Sequence, residues 1–377
     1  MTTRLSIQNI LLVILAFITT ACSDGNDNPP QESTVYQQFY SPAETSIEVH
    51  ALDSGDAGKR YYIDEGDPNG IPVLLVTGTG TSVTAALLTS HLNALRDQLG
   101  IRIISVQRNG FGQSNYQETW GYRDYVDDVE RVLEALGIQE FHVFAISGGG
   151  PYTAFLAESL GDRILSLHLA ATITGNNVID GNSTLSGTLG TLCTIATNSG
   201  DPIDTIRGLV ATYALSSSQQ WWGFEENNPM LAVKNFEAAA AVDWEYTFFS
   251  HSSDEALSAF AAEINRYCTV SLPDLANVTA PLFVYYGEAD TSASQNNVDA
   301  WIASLANAYS IKVRLYPEEG HWVQYNHLEQ IYTDIAQPGN LVVCSGNNET
   351  RILPETEGQS LLDSDMATPG TCIEPTN

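Results

Sequence analysis

One stretch of this sequence is arranged for covalent chemistry: an apolar run over residues 141–146 stops at Ser147, passes Gly148, Gly149 and Gly150, and resumes as an apolar helical pattern through Phe155. A strand, a single serine and a helix in that order form a nucleophile elbow, which makes Ser147 a candidate nucleophile. The turn strains the serine backbone, so the residues two before and two after it must be small, and Ala145 and Gly149 meet that need. An ordinary glycine-rich turn is the other reading of the same residues. A serine hydroxyl also needs a base, and the base needs an orienting acid. Of the seven histidines, His50, His142 and His168 lie in predicted strands, where packing is the ordinary expectation, whereas His321 follows Gly320 in a loop after a strand. A further strand over residues 281–286 leads into Glu288 and Asp290.

The elements that must position these groups follow from the hydrophobic pattern. Residues 46–52 alternate and pair with residues 60–65 as a predicted hairpin. Residues 71–76 and 101–106 are continuous apolar runs of the kind buried on both faces of a parallel sheet, and a helix is predicted over residues 85–99 between them. Val126, Val129, Val132, Leu133 and Leu136 mark an amphipathic helix closed by Gly137, which leads into the strand before Ser147. Strands recur at residues 164–169 and 311–316. Alternating strands and helices predict an α/β fold with a mostly parallel, doubly wound sheet. At 377 residues and 43% hydrophobic, the chain suits one large α/β domain with insertions.

Three segments carry a family resemblance. Ala145-Ile146-Ser147-Gly148-Gly149-Gly150-Pro151-Tyr152 resembles the G-x-S-G-G-G-P-Y elbow of one broad group of the α/β-hydrolase superfamily. Arg108-Asn109-Gly110-Phe111-Gly112-Gln113-Ser114 is similar to its D-R-P-G-x-G-x-S segment, and Thr77-Gly78-Thr79-Gly80 to its H-G-T-P-G loop, with matching spacing among the three. Ala145, Thr77, Gly80 and Gln107 depart from the pattern. The resemblance implies an α/β-hydrolase fold with Ser147 as nucleophile, Asp290 as triad acid with Glu288 as fallback, His321 as base, and the Thr79 and Gly148 amides as oxyanion hole. No cofactor or metal is implied, and the substrate class is a small-molecule ester or amide. Three activities remain open: a carboxylesterase, an aminopeptidase resembling proline iminopeptidases with cap acids such as Glu245, Glu225 or Glu226 holding an amine, and a non-catalytic binding lipoprotein.

The expected organisation is an export signal at residues 1–21, a flexible tether at 22–40, the hydrolase core at 41–170 and 279–338, a helical cap at 171–278, and an appendage at 339–377. Thr20-Ala21-Cys22 after a short apolar segment resembles a bacterial lipobox, which implies lipidation of Cys22 and membrane attachment through that anchor alone. Ordinary signal cleavage and soluble secretion is the alternative. In an exported chain Cys193, Cys268, Cys344 and Cys372 read as disulfides; position suggests Cys193 with Cys268 and Cys344 with Cys372, although four cysteines allow three pairings. No C-x-x-C spacing suggests zinc. A formal net charge of −30 disfavours nucleic acid and anionic lipid as partners.

Overall fold

The computed structural model of the chain describes residues 39–53, 59–179, 182–224, 226 and 228–372. The export signal, Cys22, nearly all of the tether, the turn at 54–58 and Glu225 lie outside the described residues. The strands in chain order are β1 (His50–Asp53), β2 (Lys59–Glu65), β3 (Ile71–Val76), β4 (Ile101–Val106), β5 (Phe141–Ile146), β6 (Ile164–Ala170), the two-residue β7 (Val178–Ile179) and β8 (Asn182–Ser183), β9 (Leu282–Gly287), β10 (Ile311–Tyr316), β11 (Asn340–Ser345), β12 (Glu349–Pro354) and β13 (Ala367–Pro369). The main sheet has the order β1-β2-β4-β3-β5-β6-β9-β10. Its first three strands pair antiparallel and the remaining pairings are parallel.

The continuous apolar runs are explained by what covers them. Leu74, Val76, Val143 and Ala145 face one core with the helices Tyr122–Ala135 and Gly149–Leu160, while Val73, Leu75, Phe144 and Ile146 face a second core with the helix Leu328–Ala336. Successive side chains of a strand point to opposite faces, so a strand covered on both sides must be apolar at every position. Parallel register then brings the ends of β5, β6, β9 and β10 to one edge, with Ile146 opposite Ala170, Ala170 opposite Tyr285, and Gly287 opposite Tyr316. Ser147, Asp290 and His321 all follow those ends.

The helix expected over residues 85–99 is instead a 3-10 segment, Val83–Leu92, followed by a short helix, Asn93–Gln98. Every residue of the 3-10 segment is buried. The Thr89 and Ser90 hydroxyls donate to the carbonyls of Ala86 and Leu87, three residues back, and compete with α-helical pairing in that turn.

Between β6 and β9 lie the helices Gly187–Thr197, Pro202–Ala214, Ser218–Trp222, Phe236–Phe249 and Ser253–Thr269. They share a core of Ile206, Phe248, Phe260 and Ile264 that includes Phe111 from the loop after β4. A Cys193–Cys268 disulfide ties the first of these helices to the last. After the final core helix, a three-stranded sheet ordered β12-β11-β13 carries the helix Glu355–Asp363 and is closed by Cys344–Cys372. This unit is docked on the core: the Val342 amide donates to Gln330 Oε1 at 2.8 Å, and Lys312 pairs with Glu355 at 2.5 Å. Phe39 and Tyr40, which the sequence reading put at the end of the tether, are buried, and the Tyr40 hydroxyl bonds Thr371 Oγ1 at 2.6 Å. Two adjacent aromatic side chains gain more from burial than from water. Among the described residues no helix is long and apolar enough to cross a membrane.

Candidate active site

Ser147 sits at φ = 49°, the left-handed region that a non-glycine residue enters only under constraint. The constraint comes from the turn: the Ser147 amide donates to the Ala170 carbonyl, and the Ser147 carbonyl accepts from the Gly150 and Ile173 amides. The three glycines are required by close approach. A Cβ at Gly149 would collide with the Val76 carbonyl oxygen, one at Gly150 with the Ile173 carbonyl oxygen, and one at Gly148 with the Thr79 and Tyr267 hydroxyls. The elbow is therefore a tight junction of β3, β5 and the residues after β6, and the alternative of an ordinary loose glycine turn does not describe it.

Three of the sequence-predicted residues meet here. His321 Nε2 lies 2.9 Å from Ser147 Oγ, and His321 Nδ1 lies 2.7 Å from Asp290 Oδ2. A carboxylate only accepts, so Nδ1 carries the proton and Nε2 is left to accept from the serine hydroxyl. Asp290 is buried, and its other oxygen accepts from the Ser292 and Ala293 amides at 2.7 and 2.9 Å. Burial alone would raise its pKa, but the His321 hydrogen bond and charge, with the two amides, hold the carboxyl below its ordinary value. Glu288 is exposed and has no place in this line.

The loop after β3 completes the arrangement. The Thr79 amide nitrogen stands beside Gly148, 3.0 Å from where a Cβ of Gly148 would be. The loop is held by Glu263 and Asp243, which the sequence reading did not single out, together with Arg108 and Tyr152 of the family-like segments. Glu263, fully buried on the helix Ser253–Thr269, accepts from the Gly80 amide at 2.8 Å, from Arg108 at 2.6 Å and from the Tyr152 hydroxyl at 3.1 Å. Arg108 also donates to the carbonyls of Thr81, at 2.9 Å, and Gly78. Burial would lower the Arg108 pKa, but the Glu263 charge and the surrounding tyrosines raise it, so the guanidinium stays charged. Asp243, on the helix Phe236–Phe249, accepts from the Ser82 amide and from the Ser82 and Thr84 hydroxyls at 3.2, 2.7 and 2.9 Å. Burial pushes the Asp243 carboxyl up to about 6 against those hydrogen bonds. Glu263 and Asp243 are each far from the loop in sequence, and nothing in the local pattern of their helices ties them to it.

Ser147 and His321 open into a cavity of about 210 Å³ walled by Trp221, Trp222, Phe260, Trp322 and Tyr325, with Gln324 at its side. Among the described lining residues none carries a carboxylate, lysine or arginine. Glu245 lines a separate surface recess with Trp244, Tyr246 and Phe249, and Glu226 is exposed and outside the cavity. Among the described residues no cluster of three or more histidine, cysteine or acidic side chains could hold a metal.

Known proteins share this architecture. Residues 71–192 match the family model described as alpha/beta hydrolase fold. An esterase from Rhodococcus sp. ECU1013 superposes with a TM-score of 0.54 at 21% identity, covering 78% of this chain and 100% of that one. A bromoperoxidase from Bacillus anthracis does so with a TM-score of 0.53 at 19% identity, covering 76% and 98%. In sequence, a proline iminopeptidase of Neisseria gonorrhoeae is 27% identical over 141 residues, which is 36% of this chain and 41% of that protein. The chain thus spans less than half the length of that curated relative.

Proposed function

The chain has the α/β-hydrolase fold, and from that premise we propose that it is a serine hydrolase cleaving small neutral carboxylic esters through an acyl-enzyme intermediate. The observation that carries this reading is the continuous hydrogen-bond line Ser147–His321–Asp290, opening into a cavity with no carboxylate among its described lining residues. In the first step His321 Nε2 takes the hydroxyl proton as Ser147 Oγ attacks the ester carbon, and Asp290 stabilises the imidazolium. The carbonyl oxygen becomes an oxyanion received by the Thr79 and Gly148 amides. His321 then passes its proton to the leaving alcohol. Water, deprotonated by the same imidazole, releases the acid and restores Ser147.

An amine-recognising peptidase needs a free acid near the serine. Glu263 is engaged by Arg108, Tyr152 and Gly80, and Glu245 lines a different recess, so the ester reading is preferred. A fluorophosphonate probe is expected to label Ser147, and an ester panel is expected to be turned over faster than aminoacyl arylamides. No labelling would remove the serine-hydrolase reading; preference for the arylamides would move it to the peptidase.

Export belongs to the same proposal. Two disulfides suit an oxidising compartment, and Ala21-Cys22 suits lipidation. Mass analysis of the mature N-terminus is expected to find a lipidated Cys22; an unmodified N-terminus elsewhere, in a membrane-free fraction, would mean soluble secretion.

A further inference from the structure

One edge of the main sheet is open. β10 is the last strand of the order and pairs with β9 alone, over six consecutive residues without a bulge. The Leu282 amide donates to the Ser310 carbonyl and the Glu288 amide to the Tyr316 carbonyl, so the even-numbered residues of β10 direct both backbone groups to β9. Ile311, Val313 and Leu315 point theirs outward, and none of the described residues pairs with them. The same three residues are exposed, at 39, 41 and 45%, and Tyr309 just before them at 88%. A row of a strand that faces water ordinarily reads polar. This one reads Tyr, Ile, Val, Leu.

Proteins blunt such edges with short strands, charges, proline or bulges. The opposite edge of the sheet follows that rule, since β1 has four residues and ends on Asp53. On β10 the two charged side chains, Lys312 and Arg314, belong to the other face, where they pair with Glu355 and Asp334. The outward row therefore carries no charge, in a chain with 45 acidic against 15 basic residues. A second copy can approach there without setting like charges opposite one another. The spacing is also self-complementary. Antiparallel pairing about a two-fold axis at Val313 sets Val313 opposite its own copy, Ile311 opposite Leu315, and Leu315 opposite Ile311. These are the residues whose backbone groups point outward, so each opposing pair exchanges two N–H···O bonds while its apolar side chains meet on one face.

We propose that this chain forms a two-fold homodimer through β10, which joins the eight-stranded sheets of two copies into one. The proposal does not depend on the activity. Because Ser147, Asp290 and His321 follow the carboxyl ends of their strands, antiparallel pairing directs the two sites in opposite directions and neither covers the other. Four side chains make up only part of the roughly 800 Å² that each partner buries in a standard interface, so the association is concentration-dependent. The net charge of −30 on each copy repels the other at long range, and salt screens that repulsion.

The test reads both association and register. Sedimentation velocity of the purified chain, with Cys22→Ala so that no anchor associates copies, is expected to shift from monomer to dimer between about 1 and 200 µM in about 0.5 M NaCl. Adding Val313→Lys, which sets two lysines opposite each other, is expected to keep it monomeric, while the neutral and β-forming Val313→Thr still dimerises. Opposing residues of such a pair have Cα atoms about 5.5 Å apart, within reach of a disulfide. Val313→Cys is therefore expected to cross-link to its own copy, and Ile311→Cys to a co-expressed Leu315→Cys chain, whereas Ile311→Cys alone gives no covalent dimer. A chain that stays monomeric throughout, a dimer that survives Val313→Lys, or equal cross-linking by Ile311→Cys alone would overturn the proposal. Cross-linking of Val313→Cys in cells to a different protein in place of its own copy would also overturn it and give the edge to that partner.

Discussion

At the scale of single residues, the proposed chemistry concentrates in Ser147. Its replacement by alanine is expected to lower kcat on the order of a million-fold, because the nucleophile and base act as one unit. Asp290→Asn should cost less, on the order of ten-thousand-fold, by presenting the wrong imidazole tautomer to the serine. Near-normal ester hydrolysis by a folded Ser147→Ala protein would end the nucleophile assignment. Ser147 and Asp290 were legible in sequence because each lies just beyond an apolar strand, and His321 because it follows Gly320 in the loop after the alternating strand β10, in the chain order Ser, Asp, His.

At the scale of elements, the helical layer is built into the loop after β3, which the proposal makes the oxyanion loop, and is more than a cover. The Gly80 and Ser82 amides end on Glu263 and Asp243 of two different helices, and Arg108 holds the Gly78 and Thr81 carbonyls between them. The Thr79 amide thus has its direction fixed from both sides. Glu263→Gln removes the charge that Arg108 needs, and breaking one side of a buried pair costs about 3 to 5 kcal/mol of stability. If the pair only stabilised the fold, kcat in the folded fraction would be unchanged. As a positioner of the loop, Glu263→Gln is expected to lower kcat by about a hundred-fold with KM within a few-fold, the effect of misplacing one oxyanion donor. The double variant Glu263→Gln, Arg108→Met is expected to regain melting temperature without regaining kcat. Recovery of both would reduce the pair to a structural tie. Sequence pattern could place these helices between β6 and β9, but a link between residues 80 and 263 depends on tertiary packing, for which a periodic pattern carries no signal. The 3-10 winding of Val83–Leu92, where a helix over residues 85–99 was expected, has a related cause, since the Thr89 and Ser90 hydroxyl-to-carbonyl bonds are invisible to hydrophobic periodicity.

At the scale of the whole molecule, the described N-terminal residues, the core and the appendage converge on one buried acid. Glu329 is 1% exposed at the start of the helix Leu328–Ala336, and its Oε2 has no partner. Around it stand His327, with Nδ1 at 4.0 Å, Gly370 of the appendage, and Tyr40, whose charge interaction with Glu329 is felt at its own hydroxyl. Burial pushes the Glu329 carboxyl up to about 7, the His327 charge works against this, and Glu319 adds to the rise. His327 is itself shared with Glu319 at 2.5 Å and stacked on Tyr316, so it is poorly placed to neutralise Glu329 fully. Because the folded value is raised above the unfolded one, the native state holds the extra proton between about 4.5 and 7. Stability from this group is complete below that window and is lost as pH rises through it, by at most about 3 kcal/mol. Glu329→Gln cannot ionise and should remove this slope. Melting temperatures from pH 4.5 to 8 are therefore expected to favour the wild type or match the variant at the acid end, and to favour Glu329→Gln at the alkaline end. The self-repulsion of a chain with net charge −30 acts on both proteins nearly alike, so the difference between the two curves isolates Glu329. Parallel curves across the whole range would show that Glu329 has the same pKa folded and unfolded, and the seam between Tyr40 and the appendage would then hold no pH-sensitive group at that position.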